Sequence, residues 1–212
     1  GDRATAIGAA NTLSFTADGA IVADNTDAPG LLAALAEPVA GRSALVLGAG
    51  GSARAAVWAL LDAGAGPVAV WNRTAARAHD LTAELGGQAV AEPVAAEIVV
   101  NCTSVGLAAA SFKELPLPAD LLGKSAVVVD LVYRPGGTAL LHEAQRRGVR
   151  TVSGLEILVR QGALSFEAWT GLEAPLAVMR AAVSQARPGD PAEAGLDGHR
   201  TRSPDTGADG AA

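Results

Sequence analysis

The sequence predicts an α/β fold in which helices cover both faces of a doubly wound parallel sheet. Between Arg42 and Gly154 several short runs are apolar throughout, and a stretch with helical periodicity follows most of them. Strands that are buried on both faces have continuous apolar sequences, whereas half-buried strands alternate. The chain has 212 residues, of which 50% are hydrophobic and only 3% aromatic. This length and composition suffice for a core built from alanine, valine and leucine.

The predicted elements alternate regularly along residues 43–154. The strands are SALVLG, VAVWN, EIVVNCTS, AVVVDLVY and VRTVSG, and the helices are SARAAVWALLDAG, TAARAHDLTAELGG and TALLHEAQRRG. Fully apolar strands that alternate with helices indicate βαβ units and therefore a parallel sheet.

Shorter elements flank this region. Two β-type runs around Asp18-Gly19 predict a hairpin over residues 12–24. The segment DNTDAPG then leads into a helix, LLAALAE, with Asp27 as the predicted N-cap and Pro29 in the first turn. After Gly154 two further helices are predicted, LEILVRQGALSFEAWTG and APLAVMRAAVSQA. Residues 186–212 contain too few large apolar side chains to pack, so we expect a disordered tail.

Charge and composition argue against several classes of protein. A formal net charge of -6 and a pI near 5.0 argue against a nucleic-acid partner. Cys102 is the single cysteine, and the three histidines lack metal-ligand spacing, so neither an internal disulfide nor a metal site is predicted. No apolar stretch approaches the roughly 20 residues of a membrane span, and the chain does not open on a signal peptide. We therefore expect a cytoplasmic protein without a membrane partner.

A glycine-rich turn lies between the first strand of the predicted sheet and its helix. In LVLGAGGSARAAV, Gly48, Gly50 and Ala53 have the spacing of the G-x-G-x-x-G/A fingerprint in the strand–turn–helix context that it requires. The first glycine allows the tight turn, the second lets the backbone approach a pyrophosphate, and Ala53 permits close helix–strand packing. A purely structural turn is the alternative, and the βα units that follow make it the weaker one.

The end of the second strand indicates which dinucleotide would bind. NAD sites commonly place a carboxylate there, whereas VAVWNRTAAR has Asn72, Arg73 and Thr74, with Arg77 one helical turn later. Guanidinium groups match a 2′-phosphate in charge and geometry. We therefore expect NADP as the cofactor. Both arginines are also compatible with ordinary solvated positions at a helix start, and this alternative is stronger for Arg77.

Taken as an ordered set, the motifs resemble shikimate dehydrogenase, of the shikimate/quinate dehydrogenase family. The set spans residues 4–184 and comprises AANT at 9–12, NTD at 25–27, GAGG at 48–51, NRT at 72–74, NCTSVG at 101–106, DLVY at 130–133 and the stretch 154–171. The resemblance implies a Rossmann-like NADP domain and a substrate domain with the active site between them. It also implies the reversible reduction of 3-dehydroshikimate to shikimate, a step of chorismate and aromatic amino-acid biosynthesis.

The same resemblance implies roles for individual residues. Asn11, Asp27 and Gln161 would contact substrate hydroxyls, with Asp27 as the catalytic residue, and Tyr133 would lie near the carboxylate-bearing ring. The implied cofactor contacts are Gly48, Ala49, Gly50, Gly51, Ser52, Asn72, Arg73, Thr74, Arg77 and Thr103, with Leu131 and Gly154 beside the nicotinamide. Structural alternatives remain: Asn11 as a turn residue, Tyr133 as a packing residue and Gln161 as an exposed helix position.

One residue of the family's machinery has no counterpart in this sequence. In the family a lysine in an N-V-T-x-P-F-K-like stretch donates the proton and pairs with the aspartate that Asp27 matches. Here no lysine precedes Lys113, and both Lys113 and Lys124 have the context of solvated loop residues. We therefore expect the chain to begin where the family's first domain is ending.

This expectation divides the chain into four parts. Residues 1–30 would be a remnant of the substrate domain, 31–153 the NADP domain, 154–185 helices that return to the substrate domain, and 186–212 the tail. Residues 4–30 and 155–184 would then expose apolar surface that favours association, a homodimer included, or disorder. Two other functions stay open: a catalytically inactive NADP-binding module, and a paralogue that uses quinate.

Overall fold

The structure is a computed structural model that describes residues 1–107, 111–113, 115–134 and 136–185. The predicted tail at 186–212 lies outside these residues. In chain order the elements are α1 (Asp2–Ile7), β1 (Thr12–Phe15), β2 (Ile21–Asp24), α2 (Asp27–Leu35), β3 (Ala44–Leu47), α3 (Gly51–Asp62), β4 (Val68–Trp71), α4 (Ala75–Leu85), β5 (Gln88–Ala89), β6 (Ile98–Asn101), α5 (Ala119–Leu122), β7 (Val127–Asp130), α6 (Ala139–Arg146), β8 (Arg150–Ser153), α7 (Gly154–Thr170) and α8 (Leu176–Gln185).

The larger sheet is parallel throughout and has the strand order β5-β4-β3-β6-β7-β8. Counted from β3, this is the order 3-2-1-4-5-6 of dinucleotide-binding folds. In register, Leu47 of β3 lies between Trp71 of β4 and Asn101 of β6, and Asn101 pairs with Asp130 of β7. The strand order reverses between β3 and β6, so a crevice forms at the carboxyl ends of these two strands. The predicted doubly wound parallel sheet is confirmed.

Helices cover both faces of this sheet, as the continuous apolar strands predicted. On one face Val46 packs in a buried cluster with Leu60 of α3. On the other face Leu45 and Val128 pack in a second cluster with Leu141 of α6. Neighbouring residues of β3 therefore face opposite helical layers, which is why the strand is apolar at every position.

The hairpin predicted over residues 12–24 is also present. β1 and β2 are antiparallel, with Thr12 opposite Asp24 and Phe15 opposite Ile21. Gly19 has φ 85°, a conformation that glycine adopts at low cost in a hairpin turn.

The helix after DNTDAPG begins earlier than predicted, and the prediction of Asp27 as its N-cap is wrong. α2 starts at Asp27, and the N-cap is Thr26, whose side chain makes no capping bond. The amide oxygen of Asn25 instead accepts a hydrogen bond of 3.1 Å from the N–H of Ala28. Asn and Asp are both good capping residues, so the sequence alone does not distinguish them. The correction matters because it leaves the Asp27 carboxylate available for other contacts.

Three elements were not predicted: α1, β5 and α5. They have six, two and four residues, so each is too short to show a helical or strand period.

Helices α2 and α7 are far apart in the sequence and pack closely against each other. α7 packs against α2 and also contacts β1. A Cβ atom at Gly30 of α2 would lie only 2.9 Å from the Cβ of Gln161 and 3.0 Å from its backbone N. The absence of a side chain at Gly30 therefore allows α7 to approach α2, and this brings Gln161 close to the start of α2.

The hairpin carries an exposed apolar face. Phe15 and Ile21 are cross-strand partners and are 76% and 63% exposed, and Leu13 on the same face is half exposed. Among the described residues, no helix is long and apolar enough to cross a membrane. Contiguous apolar patches on a protein surface commonly mark interaction sites.

We expect the 212-residue chain to self-associate through this apolar hairpin face. The double substitution Phe15→Ser and Ile21→Ser should shift the chain towards the monomer, because it removes the two most exposed apolar side chains of the hairpin. Analytical ultracentrifugation over a concentration series measures the effect. Val94→Ser, at another exposed apolar position, is the matched control. Equal association of the double variant and the control would show that the hairpin is not the contact.

Candidate active site

A trough made of three adjoining cavities follows the carboxyl ends of β3, β6 and β7. The cofactor cavity, of about 350 Å³, is lined by Gly48, Ala49, Gly50, Trp71, Asn72, Arg73, Arg77, Cys102, Thr103, Ser104, Val105 and Leu115. The linking cavity, of about 170 Å³, is lined by Ser52, Cys102, Thr103, Ser104, Leu107, Leu131, Val132 and Tyr133. The Asp27 cavity, of about 350 Å³, is lined by Asn11, Asp27, Ser52, Leu131, Tyr133, Gly154, Ile157, Leu158 and Gln161.

The structure brings most of the predicted site residues to this trough. All four predicted substrate residues line the Asp27 cavity, and shared residues join each cavity to the next. Of the predicted cofactor residues, Gly51 and Thr74 line none of the three cavities. Gly51 is the first residue of α3, and Thr74 is the N-cap of α4, where its carbonyl accepts a 2.9 Å hydrogen bond from Asn72 Nδ2.

The glycine turn has the geometry that the fingerprint requires. Gly48 has φ 114°, and a Cβ atom there would lie 3.1 Å from the carbonyl group of Cys102. A Cβ at Gly50 would meet nothing within 4 Å, so the backbone at this position faces open space. Ala53 is fully buried in the core, which permits the close packing of α3 on the sheet. The turn therefore exposes backbone at the switch point of the sheet.

The N-terminus of α3 keeps its backbone donors free of side-chain caps. Its N-cap is Gly50, and no side chain accepts from its first turn. In α6 and α7, by contrast, Thr138 and Ser153 accept a hydrogen bond from the first turn. The uncapped N-terminus of a helix as long as α3, at the border of a cavity, is suited to bind an anion. Its free N–H groups and the helix dipole both favour negative charge.

Two arginines line the outer end of the cofactor cavity. Arg73 follows β4 and Arg77 lies in the first turn of α4, and both side chains are exposed. Within the described part of the chain neither pairs with a carboxylate, unlike Arg3 with Asp24. Their guanidinium groups are therefore available to a ligand.

The inner end of the trough contains Asp27, the second aspartate of the segment DNTDAPG. Asn11 Nδ2 donates a 2.8 Å hydrogen bond to Asp27 Oδ1 and lies 3.3 Å from Gln161 Oε1. Burial raises the pKa of the Asp27 carboxyl, and the hydrogen bond from Asn11 opposes that change. Tyr133 is 58% exposed, so it is not a packing residue. Asn11 and Gln161 are likewise tied into this cluster and are not isolated turn or surface residues.

The buried carboxylate of Asp130, a residue to which the sequence assigned no role, supports the middle of the trough. Asp130 ends β7 and is fully buried; its Oδ1 accepts from Asn101 Nδ2 at 2.9 Å and from the Val132 N–H at 3.1 Å. Its Oδ2 accepts from Thr138 Oγ1 at 2.5 Å. Asn101 Oδ1 in turn accepts from the Thr103 N–H at 3.1 Å. Burial raises the pKa of Asp130, and these hydrogen bonds oppose the change.

This network fixes two loops that line the trough, 102–106 and 131–134. A signal for it existed in the sequence, because Asn101 and Asp130 are polar residues that directly end fully apolar strands. In a parallel sheet such positions meet at the carboxyl edge, where ligands bind.

The described lysine and histidine side chains lie outside the trough, and the buried thiol of Cys102 is unreactive. Lys113 and Lys124 are exposed as predicted, and in the described residues no lysine lines the Asp27 cavity. Cys102 packs against the core, and burial raises the pKa of its thiol. His79 and His142 are exposed on α4 and α6.

The strand order and the glycine turn at the switch point define the class of the molecule: it is a dinucleotide-binding α/β protein. Residues 31–111 match the family model described as shikimate / quinate 5-dehydrogenase, and residues 154–183 match the shikimate 5'-dehydrogenase C-terminal domain. The chain belongs to this family.

Individual relatives agree with this membership. A shikimate dehydrogenase (NADP(+)) of Thermus thermophilus is 50% identical over an alignment of 175 residues that covers 80% of this chain and 65% of that protein. The chain therefore spans just under two thirds of the length of this relative. A crystal structure of shikimate 5-dehydrogenase from another strain of Thermus thermophilus, in complex with NADP(H) and shikimate, has a TM-score of 0.75 and 44% identity over 85% of this chain and 69% of that one. The ligand-free 5-ketofructose reductase of Gluconobacter sp. strain CHM43 also has a TM-score of 0.75, at 33% identity, over 85% of this chain and 69% of that one.

Proposed function

We propose that this chain is the NADP-binding and hydroxyl-recognising part of an NADP-dependent dehydrogenase that interconverts shikimate and 3-dehydroshikimate. One observation carries the proposal: a trough suited to a dinucleotide ends at the cluster of Asn11, Asp27 and Gln161. A carboxylate beside two carboxamides is suited to a ligand with several hydroxyl groups, because it supplies both an acceptor and donors. The similarity to proteins named for shikimate supports the same substrate.

The residues of the cofactor cavity fit NADP. Arg73 and Arg77 would hold the 2′-phosphate, since both are free of carboxylate partners in the described chain. The uncapped N-terminus of α3 would hold the pyrophosphate, and Gly50 leaves the space that this requires. Leu131 and Gly154 line the Asp27 cavity and would lie beside the nicotinamide.

The side chains of the Asp27 cavity would bind and orient the substrate. Leu131 and Gly154 would hold the nicotinamide of NADPH, which when bound would supply the hydride for reduction of the ketone. The Asp27 carboxylate would accept a hydrogen bond from a substrate hydroxyl, while the N–H of Gln161 that is not bonded to Leu158 would donate to a neighbouring oxygen. Because burial raises the pKa of Asp27, this group also holds a proton more readily than an ordinary aspartate.

Reduction of a ketone also needs a proton donor for the developing alkoxide. Among the described residues no lysine lines the Asp27 cavity, and none lies in the sequence before Lys113. We therefore propose that the 212-residue polypeptide, assayed alone, binds NADPH but turns over shikimate negligibly.

Binding and turnover test this proposal separately. Fluorescence titration of the 212-residue chain should give tighter binding of NADPH than of NADH, because Arg73 and Arg77 line the cofactor cavity and would hold the 2′-phosphate. With shikimate and NADP+ the absorbance of NADPH should stay at its background rate. Equal affinities for NADPH and NADH would contradict the cofactor assignment. Rapid NADP+ reduction would show that another group of this chain replaces the lysine.

A quinate-using enzyme and a catalytically inactive NADP-binding module are the alternatives. Competition between shikimate and quinate for the cavity, followed by the chemical shifts of the Asn11 and Gln161 side-chain amides, distinguishes the first. An inactive module would bind NADPH and neither acid.

We further infer a cytoplasmic location and the division of the chain into residues 1–30, 31–153 and 154–185. The packing of α7 on α2 and β1 supports the joining of the first and third parts. The boundary between residues 30 and 31 lies within α2, so this helix would belong to both sides of the division.

A further inference from the structure

Three buried hydroxyl groups form a cluster directly beneath the Asp27 cavity. Thr12 and Thr26 are each 2% exposed and Ser165 is 5% exposed. The Oγ of Ser165 lies 2.7 Å from Thr12 Oγ1 and 3.0 Å from Thr26 Oγ1. These residues come from β1, from the position before α2 and from α7, so the cluster joins three of the segments around the cavity.

Donors from this cluster determine which end of Asn11 faces the cavity. The backbone N–H of Thr26 donates a 2.8 Å hydrogen bond to Asn11 Oδ1. The hydroxyls of Thr26 and Thr12 lie 3.1 Å and 3.0 Å from the same oxygen. An amide nitrogen cannot accept from an N–H, so Oδ1 must face these donors and Nδ2 must face Asp27.

The amide oxygen of Gln161 faces Thr26 of the cluster and Asn11. Thr26 Oγ1 lies 3.2 Å from Gln161 Oε1, and Asn11 Nδ2 lies 3.3 Å from it. Gln161 Nε2 donates at 3.2 Å to the carbonyl of Leu158. An amide NH2 has two donor hydrogens, so one N–H of Gln161 is left for a ligand.

We propose that Thr12, Thr26 and Ser165 are positioning residues that hold both carboxamide oxygens towards the cluster, so that the N–H groups of Asn11 face Asp27 and Gln161 and the cavity presents the free N–H of Gln161 beside a single carboxylate acceptor. The identity of the ligand in this proposal rests on the proposed function. The ligand group opposite Asp27 must then carry a hydrogen, as a hydroxyl does and a keto or ether oxygen does not. An oxygen next to it accepts from the free N–H of Gln161.

The electrostatics of Asp27 give this arrangement a measurable signature. Burial raises the pKa of Asp27 and the hydrogen bond from Asn11 lowers it, so a loosened Asn11 raises the pKa further. Tyr133 is the other titratable side chain that lines the cavity. Cys102 lines the adjoining linking cavity, and the charge of Asp27 contributes to raising the pKa of its thiol. Among the described residues no cationic side chain lines the cavity, so Asn11 is the main stabiliser of the charged carboxylate.

The experiment is a ligand-free titration of the Asp27 carboxyl carbon by NMR in the 212-residue chain. Asn11→Leu deletes the donor and should raise the pKa of Asp27 by roughly one unit. The double variant Thr12→Val/Thr26→Val removes two hydroxyls and keeps side-chain shape, and it should produce about half of that rise or more. The double variant Thr12→Ser/Thr26→Ser restores the hydroxyls and should return the pKa to the wild-type value.

Two further variants separate positioning from stability. Ser165→Ala touches neither Asn11 nor Asp27, yet it should move the pKa in the same direction, and it remains informative if the valine variant does not fold. Ser125→Ala removes a buried hydroxyl after α5, far from the cavity, and should leave the pKa of Asp27 unchanged. An unchanged pKa in the valine variant and in Ser165→Ala, with a rise in Asn11→Leu, would overturn the proposal. No rise in Asn11→Leu would overturn it as well.

Calorimetry with shikimate and NADPH then connects the cluster to binding. The valine variant should bind shikimate about 10-fold more weakly, a change of about 1.4 kcal/mol, and NADPH unchanged. If the wild-type chain does not bind shikimate, the proposed function fails, while the ligand-free titration still decides the role of the hydroxyls. Equal losses for shikimate and NADPH would show a general loss of structure and contradict the positioning role.

Discussion

Replacing Arg73 and Arg77 together by alanine is expected to weaken NADPH binding by roughly 100-fold or more, while NADH binding changes by no more than about 2-fold. The removal of each guanidinium would delete a charge-assisted hydrogen bond to the 2′-phosphate that is worth about 1.5–3 kcal/mol. Every 1.4 kcal/mol is about tenfold in affinity. Both arginines line the cofactor cavity, and neither has a carboxylate partner in the described chain. Fluorescence titration with the two nucleotides measures the two affinities.

Two controls test whether the effect is local to the 2′-phosphate. Arg146→Ala removes a cation from the exposed side of α6, away from the trough, and should change neither affinity. Raised salt should weaken NADPH binding to the wild type more than to the double variant, because exposed charges are screened. A similar loss for NADPH and NADH in the double variant would place the arginines elsewhere on the dinucleotide.

The sheet could be predicted from the sequence because its signals are local. Strands such as ALVL in β3 are apolar at every position, the glycine motif follows directly, and both features lie within a few residues of each other. The prediction of the N-cap of α2 was wrong because it also relied on local signals alone. Asn25 and Asp27 are equally good capping residues, and only the three-dimensional contacts of each decide between them.

The inner site could be predicted in its members but not in its arrangement. Asn11 and Gln161 are 150 residues apart, and their proximity depends on the close approach of α7 to Gly30. The orientation of each amide depends on hydroxyls from three separate segments. Such hydrogen bonds leave no periodic trace in a sequence, so Thr26 and Ser165 were not distinguishable from ordinary helix-terminal or helical residues.

Gly154→Ala is expected to lower the free energy of unfolding by about 2–4 kcal/mol and to disrupt the Asp27 cavity. A Cβ at Gly154 would lie 2.7 Å from the carbonyl oxygen of Leu131 and 2.7 Å from the carbonyl carbon and oxygen of Val132. These are backbone atoms, which cannot rotate away as a side chain can. Either the loop after β7 or the start of α7 must therefore move, and both line the cavity. Urea unfolding followed by circular dichroism measures the loss of stability.

Gly162→Ala is the matched control, because it makes the same substitution in the same helix. A Cβ at Gly162 would meet only the terminal methyl of Met179, at 3.4 Å, and alanine is favoured over glycine in a helix by about 1 kcal/mol. This variant should therefore be as stable as the wild type or more so, with NADPH binding retained. Opposite signs for the two variants would establish that α7 is fixed to the trough at its first residue. Equal stabilities would mean that the backbone after β7 yields to a methyl group, and the contact at Gly154 would then not define the cavity.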